Sequence, residues 1–235
     1  MPKAGRGRSF AVIVLLGLGL GLGPAIGCKR ERDQPEAVVV AAPLQIAPVA
    51  EDHPWVIAFL TEVSIARPPG ADARLEGRSR PEGGYVMDPV ITAEDRAALT
   101  DFLRTYEQRH PRPPELAPVW ELHQVASPDS PLWQLHFIDE QAGFELDGGA
   151  SASLARSSDF PVVRLQLSPA QGEQFAALTR AQLRRRVAFV IADEVVSVPI
   201  VWEEVPGGAV ELRPTPSLGP EQAAVALLER LSQGT

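Results

Sequence analysis

The sequence predicts an α+β fold in which helices pack against an antiparallel sheet. Short apolar runs bounded by turn residues recur along the chain and are typical of strands. Two segments carry helix-capping signals followed by apolar residues at helical spacing. The order in which these strands and helices follow one another favours an antiparallel sheet.

Composition limits the class of protein. The chain has 235 residues, of which 45% are hydrophobic and 22% charged, as expected for one folded domain or two small ones. Its net charge of −8 excludes a typical nucleic-acid binder, which needs a basic face. A single cysteine excludes an internal disulfide framework and a thiolate metal cluster.

The N-terminus has the pattern of a signal peptide. Three basic residues precede an apolar run over 10–22, which is shorter than the roughly 20 residues of a membrane-spanning helix. Small residues then lead to Cys28, as in a bacterial lipobox, with Ala25 at the usual leucine position. We therefore predict a lipoprotein signal peptide over 1–27 and lipid attachment at Cys28. The alternative is an uncleaved membrane anchor in which Cys28 is incidental.

Either interpretation places the body of the protein outside the cytoplasm, in the cell envelope, and leaves open which membrane holds it. Residues 28–50 begin with charged residues and continue with Pro, Ala and Val without a helical or strand period. This composition predicts a flexible linker or stalk.

Residues 51–115 are predicted to form a small α+β subdomain. We expect a strand from Trp55 to Ile65, a loop over 67–84 and a short strand over Tyr85–Val90. Thr92 and Asp95 indicate a capped helix over 93–108. Four prolines between Pro111 and Pro118 end that helix and mark a boundary.

Residues 116–235 are predicted to form a second subdomain. Ser168 and Gln171 form a capping box with Pro169 at the first helical position, which predicts a helix through Leu183. A loop is expected over 141–159 and a final helix from near Pro220. The predicted strands are Val119–Val125, Leu132–Ile138, Val162–Leu167, Val187–Ala192, Val195–Val201 and Ala209–Leu212.

No catalytic or metal-binding set is evident. His123 and His136 could face each other across adjacent strands, but neither they nor His53 and His110 have a zinc-binding spacing, so ordinary histidines are favoured. The segment around Ser151 lacks the second glycine of a nucleophile elbow, and phosphate-binding loops are absent from the mature chain. We predict a protein that is not an enzyme and that has no catalytic residues, no metal and no cofactor.

Arg180 and the run Arg184–Arg186 form a basic cluster in an acidic chain. One interpretation is the solvated end of a helix, where the helix dipole favours cations. The other is a contact for an acidic partner or a lipid head group.

The segment from Phe160 to the C-terminus resembles the periplasmic head subdomain of SecD, the membrane subunit that assists protein export with SecF. The similarity starts in the strand and helix over 161–180, continues through the hairpin over 187–199, and includes Pro220–Gly234; Phe144–Arg156 is similar to the segment that leads into the head. Residues with matching positions are Phe175, Thr179, Asp193, Ser197, Pro199, Gly207 and Gly208.

The resemblance implies a SecD head-like α+β fold, and the matching residues are of the kind that build a fold. Asp193-Glu194 replaces the Asp-Gly turn of the family, and the stretch before the hairpin also differs. Because the sequence ends where SecD continues into further membrane helices, we expect no transport channel or proton coupling.

Two functions follow from this comparison. The first is a lipid-anchored extracytoplasmic module that assists export by binding Sec translocon components or unfolded, translocating polypeptides. The second is an envelope lipoprotein that reuses the fold for an unrelated structural partner. Nucleic acid is not an expected partner.

Overall fold

The computed structural model describes residues 37–79, 85–127, 130–146, 148–158, 160–214 and 219–233. The predicted signal peptide 1–27, the lipid-attachment residue Cys28 and the first part of the predicted linker lie outside these residues.

Helices and strands confirm the α+β class. The helices are α1 (Pro54–Ala66), α2 (Arg96–Arg109), α3 (Pro169–Ala181) and α4 (Pro220–Ser232). The strands are β1 (Val38–Val39), β2 (Leu44–Pro48), β3 (Ala71–Ser79), β4 (Tyr85–Ala93), β5 (Leu116–Ser127), β6 (Ser130–Asp139), β7 (Phe144–Leu146), β8 (Ser151–Ser157), β9 (Phe160–Gln166), β10 (Val187–Ile191), β11 (Glu194–Ser197) and β12 (Ala209–Leu212).

The strands form two sheets. One has the order β1-β8-β9-β12, and the other has the order β3-β4-β6-β5-β11-β10-β2-β7. Among the strand pairs of the described residues, all are antiparallel except β11 with β5, which are parallel and pair at Glu194 and Trp120.

Two main hydrophobic cores divide the molecule into lobes. The first lobe (residues 50–139) packs α1 and α2 on strands β3 to β6, with Phe59 and Phe137 at its centre. The head lobe (residues 38–48 and 144–233) packs α3 and α4 into one core with the four-stranded sheet and with β2, β10 and β11. A smaller cluster joins them through Ala47, Val49, Val119, Ile138, Ala188, Val190 and Val195.

The linker predicted over 28–50 is wrong from residue 38 onward. Strand β2 pairs with β10 on one side and β7 on the other, and Leu44, Ile46 and Ala47 are fully buried. The local sequence has no clear strand period because both faces of this strand are covered.

The strand predicted over Trp55–Ile65 is wrong, since this segment is helix α1. Val56, Phe59, Leu60 and Val63 are buried at helical spacing. Apolar residues on the remaining faces obscure that spacing in the sequence. Pro54 occupies the first helical turn, and the Nδ1 atom of His53 accepts a hydrogen bond from the backbone of Trp55 (3.2 Å).

The boundary predicted at residues 115 and 116 does not coincide with the lobes. Strands β5 and β6 pair with each other, and β6 pairs with β4. Leu116 and Leu135 belong to the same core as α1 and α2. The division between the lobes falls between Asp139 and Phe144 instead, because the proline segment connects two elements of one core.

Further differences concern loops and caps. The predicted loop over 67–84 contains β3, and the one over 141–159 contains β7 and β8. The N-cap of α2 is Asp95, whose carboxylate accepts from the backbone N–H groups of Ala97 and Ala98, and Thr92 lies in β4. The capping box of α3 and strand β12 are as predicted.

Candidate functional site

A groove of about 260 Å³ opens where the two lobes meet. It lies beside the single residue pair that joins β5 and β11, where the backbone N–H of Trp120 donates to the carbonyl of Asp193 (2.9 Å). Beyond that pair, no other residue of β11 pairs with β5. The groove therefore occupies an interruption in the eight-stranded sheet.

The wall from the first lobe is aromatic and aliphatic. Trp120 and Leu122 come from β5, and Trp133 comes from β6. Trp120 is buried, whereas Leu122 and Trp133 are half-buried and present part of their surface to the groove. Large, rigid aromatic side chains of this kind contribute much contact area at low entropic cost.

The wall from the head lobe is aliphatic. Val195 and Val196 of β11 line it together with Ala223, Ala226 and Leu227 of α4. Helix α4 buries one face in the head core and leaves the half-buried Ala226 toward the groove. Small residues on this helix keep the groove open.

A charged pair lies at the rim of the groove. A guanidinium nitrogen of Arg230 lies 3.1 Å from a carboxylate oxygen of Glu194, and both side chains are partly exposed. The rim can therefore form hydrogen bonds with a bound molecule while the walls remain apolar.

Arg96 connects the two lobes next to the groove. Its guanidinium carbon lies 5.2 Å from the ring centre of Trp120 and 5.3 Å from that of Trp133, and the group forms an ion pair with Asp193. Arg96 is the first residue of α2, placed there by the Asp95 cap. The arginine thus holds both tryptophans in place through cation–π contacts.

A second polar cluster lies buried between the lobes. Arg78 donates to both carboxylate oxygens of Asp88 (2.8 and 3.1 Å) and lies 3.6 Å from Glu51, which also forms an ion pair with Arg186. Arg78 also donates to the carbonyl of Arg184 (3.1 Å). The four charges balance, and the geometry is that of a structural junction.

The basic cluster makes its contacts within the chain. Arg180 forms two hydrogen bonds to Glu204 (2.8 and 2.6 Å), and these lower the pKa of the Glu204 carboxyl. Arg185 forms an ion pair with Asp52, and the Arg184 guanidinium carbon lies 5.1 Å from the ring centre of Trp202. These contacts account for the cluster without an acidic partner.

The three histidines whose side chains the structure describes each make a different contact. His53 caps α1, His110 packs against Tyr106 with 4.7 Å between ring centres, and the buried His136 contacts Glu121 (2.8 Å). The side chain of His123 lies outside the described part of the structure. Within the described ranges, no group of three or more His, Cys, Asp or Glu side chains could hold a metal ion.

Two of the predicted motif residues lie in the core of the head lobe. Phe175 packs against Phe189 with 6.1 Å between ring centres. The buried hydroxyl of Thr179 donates to the carbonyl of Phe175 (2.9 Å) and accepts from the backbone N–H of Val205 (3.1 Å). Thr179 therefore joins α3 to the segment before β12.

The other motif residues lie at the ends of strands or in turns. The buried Ser197 hydroxyl donates to the carbonyl of Arg213 (3.3 Å), and the carbonyl of Pro199 accepts from Val187 (3.1 Å). Gly207 and Gly208 form a 3₁₀ turn with φ of 79° and 69°. Of all the motif residues, Asp193 is the one that contacts the groove region, through Trp120 and Arg96.

The groove itself was not predicted. Trp120 and Trp133 lie on the paired strands β5 and β6, whereas Arg96 begins α2, and no common spacing in the sequence links the three. Among the described residues, no helix is both long enough and apolar enough to cross a membrane.

Comparison with known proteins points to one family of domains. The model of the SecDF P1 head subdomain matches residues 144–227, most of the head lobe. A search of curated proteins found no match. Residues 144–227 are therefore similar to the SecDF P1 head subdomain, a kind of domain related to protein export, and this similarity supports an extracytoplasmic location.

Similar solved structures belong to SecDF. One is described as a membrane component SecDF that enhances protein export, with 15% identity, a TM-score of 0.32, and coverage of 81% of this chain and 94% of that chain. The super-membrane-facing form of SecDF has 16% identity, a TM-score of 0.32 and coverage of 88% and 30%. SecDF from Thermus thermophilus has 14% identity, a TM-score of 0.30 and coverage of 82% and 29%.

Proposed function

We propose that this protein is an extracytoplasmic binding module, attached to the membrane by lipid at Cys28, that holds extended apolar segments of polypeptide during export. Binding takes place in the groove between the lobes, and the protein acts by contact and not by catalysis. Sec translocon components and translocating polypeptides are its expected partners.

The observation that carries the proposal is the interruption of the sheet between β5 and β11. An extended chain can lie along the unpaired side of a strand and form main-chain hydrogen bonds with it. Neighbouring pockets can then receive the side chains of the bound chain. Here β11 pairs with β5 at one residue pair only, and Trp133, Leu122 and Val196 line the opening. This combination suits an apolar segment without requiring a defined sequence.

The SecDF P1 head-like domain supplies the second support. It contributes β11 and the first part of α4, which form most of one wall of the groove. The first lobe contributes the tryptophans on the other wall. The groove therefore belongs to the combination of the two lobes and not to the head-like domain alone.

Filling the groove tests this function. Ala226 lines the groove on α4, and Ala226→Phe places a large side chain in the space that a bound segment would occupy. We expect at least about tenfold weaker binding of a fluorescently labelled extended apolar peptide, because the contact area is lost. Fluorescence anisotropy of the full chain in detergent measures this affinity.

The control is Ala177→Phe, which adds the same side chain at an exposed position of α3 that does not line the groove. It should bind the peptide as the unmodified chain does. Equal binding by Ala226→Phe would show that polypeptide does not occupy the groove.

Photo-crosslinking in cells tests the partner. A photoreactive residue at position 226 should capture Sec components or many exported chains, whereas one at position 177 should not. Repeated capture of one protein unconnected with export would favour the envelope structural function instead.

A further inference from the structure

Strand β3 forms an open edge of the eight-stranded sheet. It pairs with β4 over its full length, from Ala71 with Ala93 to Ser79 with Tyr85. Among the described residues, no strand pairs with its other side. An open edge nine residues long is a template for pairing with another chain.

The backbone of β3 directs alternate residues outward. The N–H of Glu94 donates to the carbonyl of Gly70 (3.0 Å), so even-numbered residues direct their N–H and C=O groups toward β4. Odd-numbered residues such as Ala73, Leu75 and Gly77 direct theirs to the open edge. A second strand must therefore pair its own outward residues with these.

We propose that this edge binds a second copy of the chain, with the two β3 strands antiparallel about a twofold axis at Leu75. In this register Leu75 lies opposite Leu75 of the second copy, and Ala73 lies opposite Gly77. Both pairs join residues whose backbone groups point outward. The two eight-stranded sheets then form one continuous sheet.

Charge selects this register over its neighbours. Arg74 lies opposite Glu76 of the second copy, and Glu76 lies opposite its Arg74, so opposite charges face each other on both sides of the axis. A register centred on Arg74 places Arg74 opposite Arg74 and Asp72 opposite Glu76, and one centred on Glu76 places Glu76 opposite Glu76. Like charges directly opposite are destabilising.

The charged side chains are exposed and can form ion pairs with the second copy. Arg74, Asp72 and Glu76 have exposed fractions of 47%, 63% and 48%, with Arg74 bonded to both carboxylates in its own strand. The second copy presents the same carboxylates to the same guanidinium across the interface. A symmetric contact of this kind is self-complementary, and it closes after two copies.

Exposed apolar residues lie on the opposite face of the same hairpin. Leu75 and Met87 are 45% and 50% exposed. Gly77 pairs with Met87, so Leu75 and Met87 share one face of the sheet. Pairing of the two edges covers part of this apolar surface in both copies.

Cysteine crosslinking of the full chain in membranes tests the pairing. Leu75→Cys places a thiol at the twofold axis, so a short bis-maleimide should join two copies. Thr105→Cys, exposed on α2, is the control position and should remain monomeric. Absence of a crosslinked dimer from Leu75→Cys at concentrations where the chain is folded would overturn the proposal.

Charge exchange then tests the register. Arg74→Glu in the Leu75→Cys chain should reduce crosslinking by about tenfold, since two attractive pairs become repulsive. Adding Glu76→Arg restores the opposite pairing and should restore the dimer. Arg104→Glu makes the same charge change on α2 and should leave the dimer intact. A dimer unaffected by Arg74→Glu, or one not rescued by Glu76→Arg, would contradict this register.

Peptide binding by the same variants distinguishes dimerisation through β3 from polypeptide binding in the groove. Because Arg74 does not line the groove, Arg74→Glu should bind peptide normally. Loss of peptide binding in that variant would mean that the edge of β3 holds polypeptide and not a second copy.

Discussion

Gly207 and Gly208 are consecutive and both have positive φ, yet their surroundings differ. A side-chain carbon at Gly207 would meet nothing within 4 Å. At Gly208 the same atom would lie 2.9 Å from the Cβ atom of Leu167 and 3.0 Å from the Cα atom of Gly172. The 3₁₀ turn and α3 thus pack together through the backbone atoms of Gly208 and Gly172, with no side chain between them.

This contrast predicts unequal costs for the two alanine substitutions. Gly207→Ala should reduce the free energy of unfolding by about 1 kcal/mol, the cost of a left-handed backbone with a side chain. Gly208→Ala should cost about 3 kcal/mol, because overpacking against α3 is added. Urea unfolding followed by circular dichroism measures both, and equal losses would contradict the close approach.

The residues at the groove show how one contact depends on several elements. Arg96 is held by the Asp95 cap, by two tryptophans and by Asp193, which come from one helix, two strands and a turn. No short segment of the sequence contains this set. Its position therefore follows from packing between the lobes.

At the scale of the element, helix α3 begins with a complete capping box. The backbone N–H of Gln171 donates to the Ser168 hydroxyl, and the backbone N–H of Ser168 donates to the Gln171 side chain (3.1 Å). The Gln171 amide also donates to the carbonyl of Gly148 (2.6 Å). The cap therefore joins the start of α3 to the turn before β8.

Removing this hydroxyl predicts a measurable loss of stability. Ser168→Ala should reduce the free energy of unfolding by about 1 kcal/mol, because one backbone donor loses its acceptor. Ser232→Ala is the matched control, since its exposed hydroxyl donates to Glu229 at the end of α4, and it should change stability by less than about 0.5 kcal/mol. Similar thermal midpoints for Ser168→Ala and the unmodified chain would show that the cap does not stabilise α3.

Strand β3 is an element that depends on the strand beside it. The sequence of β3 is charged and contains a glycine, which is unfavourable for a strand taken alone. It is held by its continuous pairing with β4. Its charges also protect an open sheet edge from unspecific pairing and, in the proposed dimer, select one register.

At the scale of the whole molecule, the buried ionic cluster joins the lobes. Glu51 is 5% exposed and lies between Arg186 and Arg78. The Nη2 atom of Arg186 is buried and has no hydrogen-bond partner among the described residues. The arginine therefore depends on Glu51 for compensation of its charge.

Loss of this carboxylate should destabilise the junction strongly. Glu51→Ala should reduce the free energy of unfolding by about 3 kcal/mol or more, because a buried cation loses its partner. Asp52→Ala removes the neighbouring carboxylate, which is 77% exposed and paired with Arg185, and should cost less than about 1 kcal/mol. Denaturant titration distinguishes the two, and a loss below 1 kcal/mol for Glu51→Ala would show that the cluster does not hold the lobes.

The groove also belongs to this scale. One wall comes from the first lobe and the other from the SecDF P1 head-like domain and its last helix. Besides the apolar cluster around Ile138 and Val190, the lobes meet through the pair of Glu194 and Trp120, the ion pair of Arg96 and the cluster at Glu51. Any change in their relative position would change the width of the groove.

The sequence alone determined the helices and strands whose capping groups, prolines and apolar runs lie within a few residues of one another. The capping box at Ser168, the helix from Pro220 and the strands on either side of α3 follow from capping groups, proline positions and apolar runs. The ordered similarity to the SecD head depends on the same local elements. For these, the interactions that stabilise the element are already close together in the chain.

Tertiary structure alone decided the rest. Residues 54–66 are apolar on several faces, so the sequence predicted a strand there, whereas packing on β3 and β4 selected a helix. Strand β2 exists because it pairs with β10, more than 130 residues away. The division of the lobes and the groove between Trp133 and α4 depend on contacts between distant segments, which no local pattern of residues encodes.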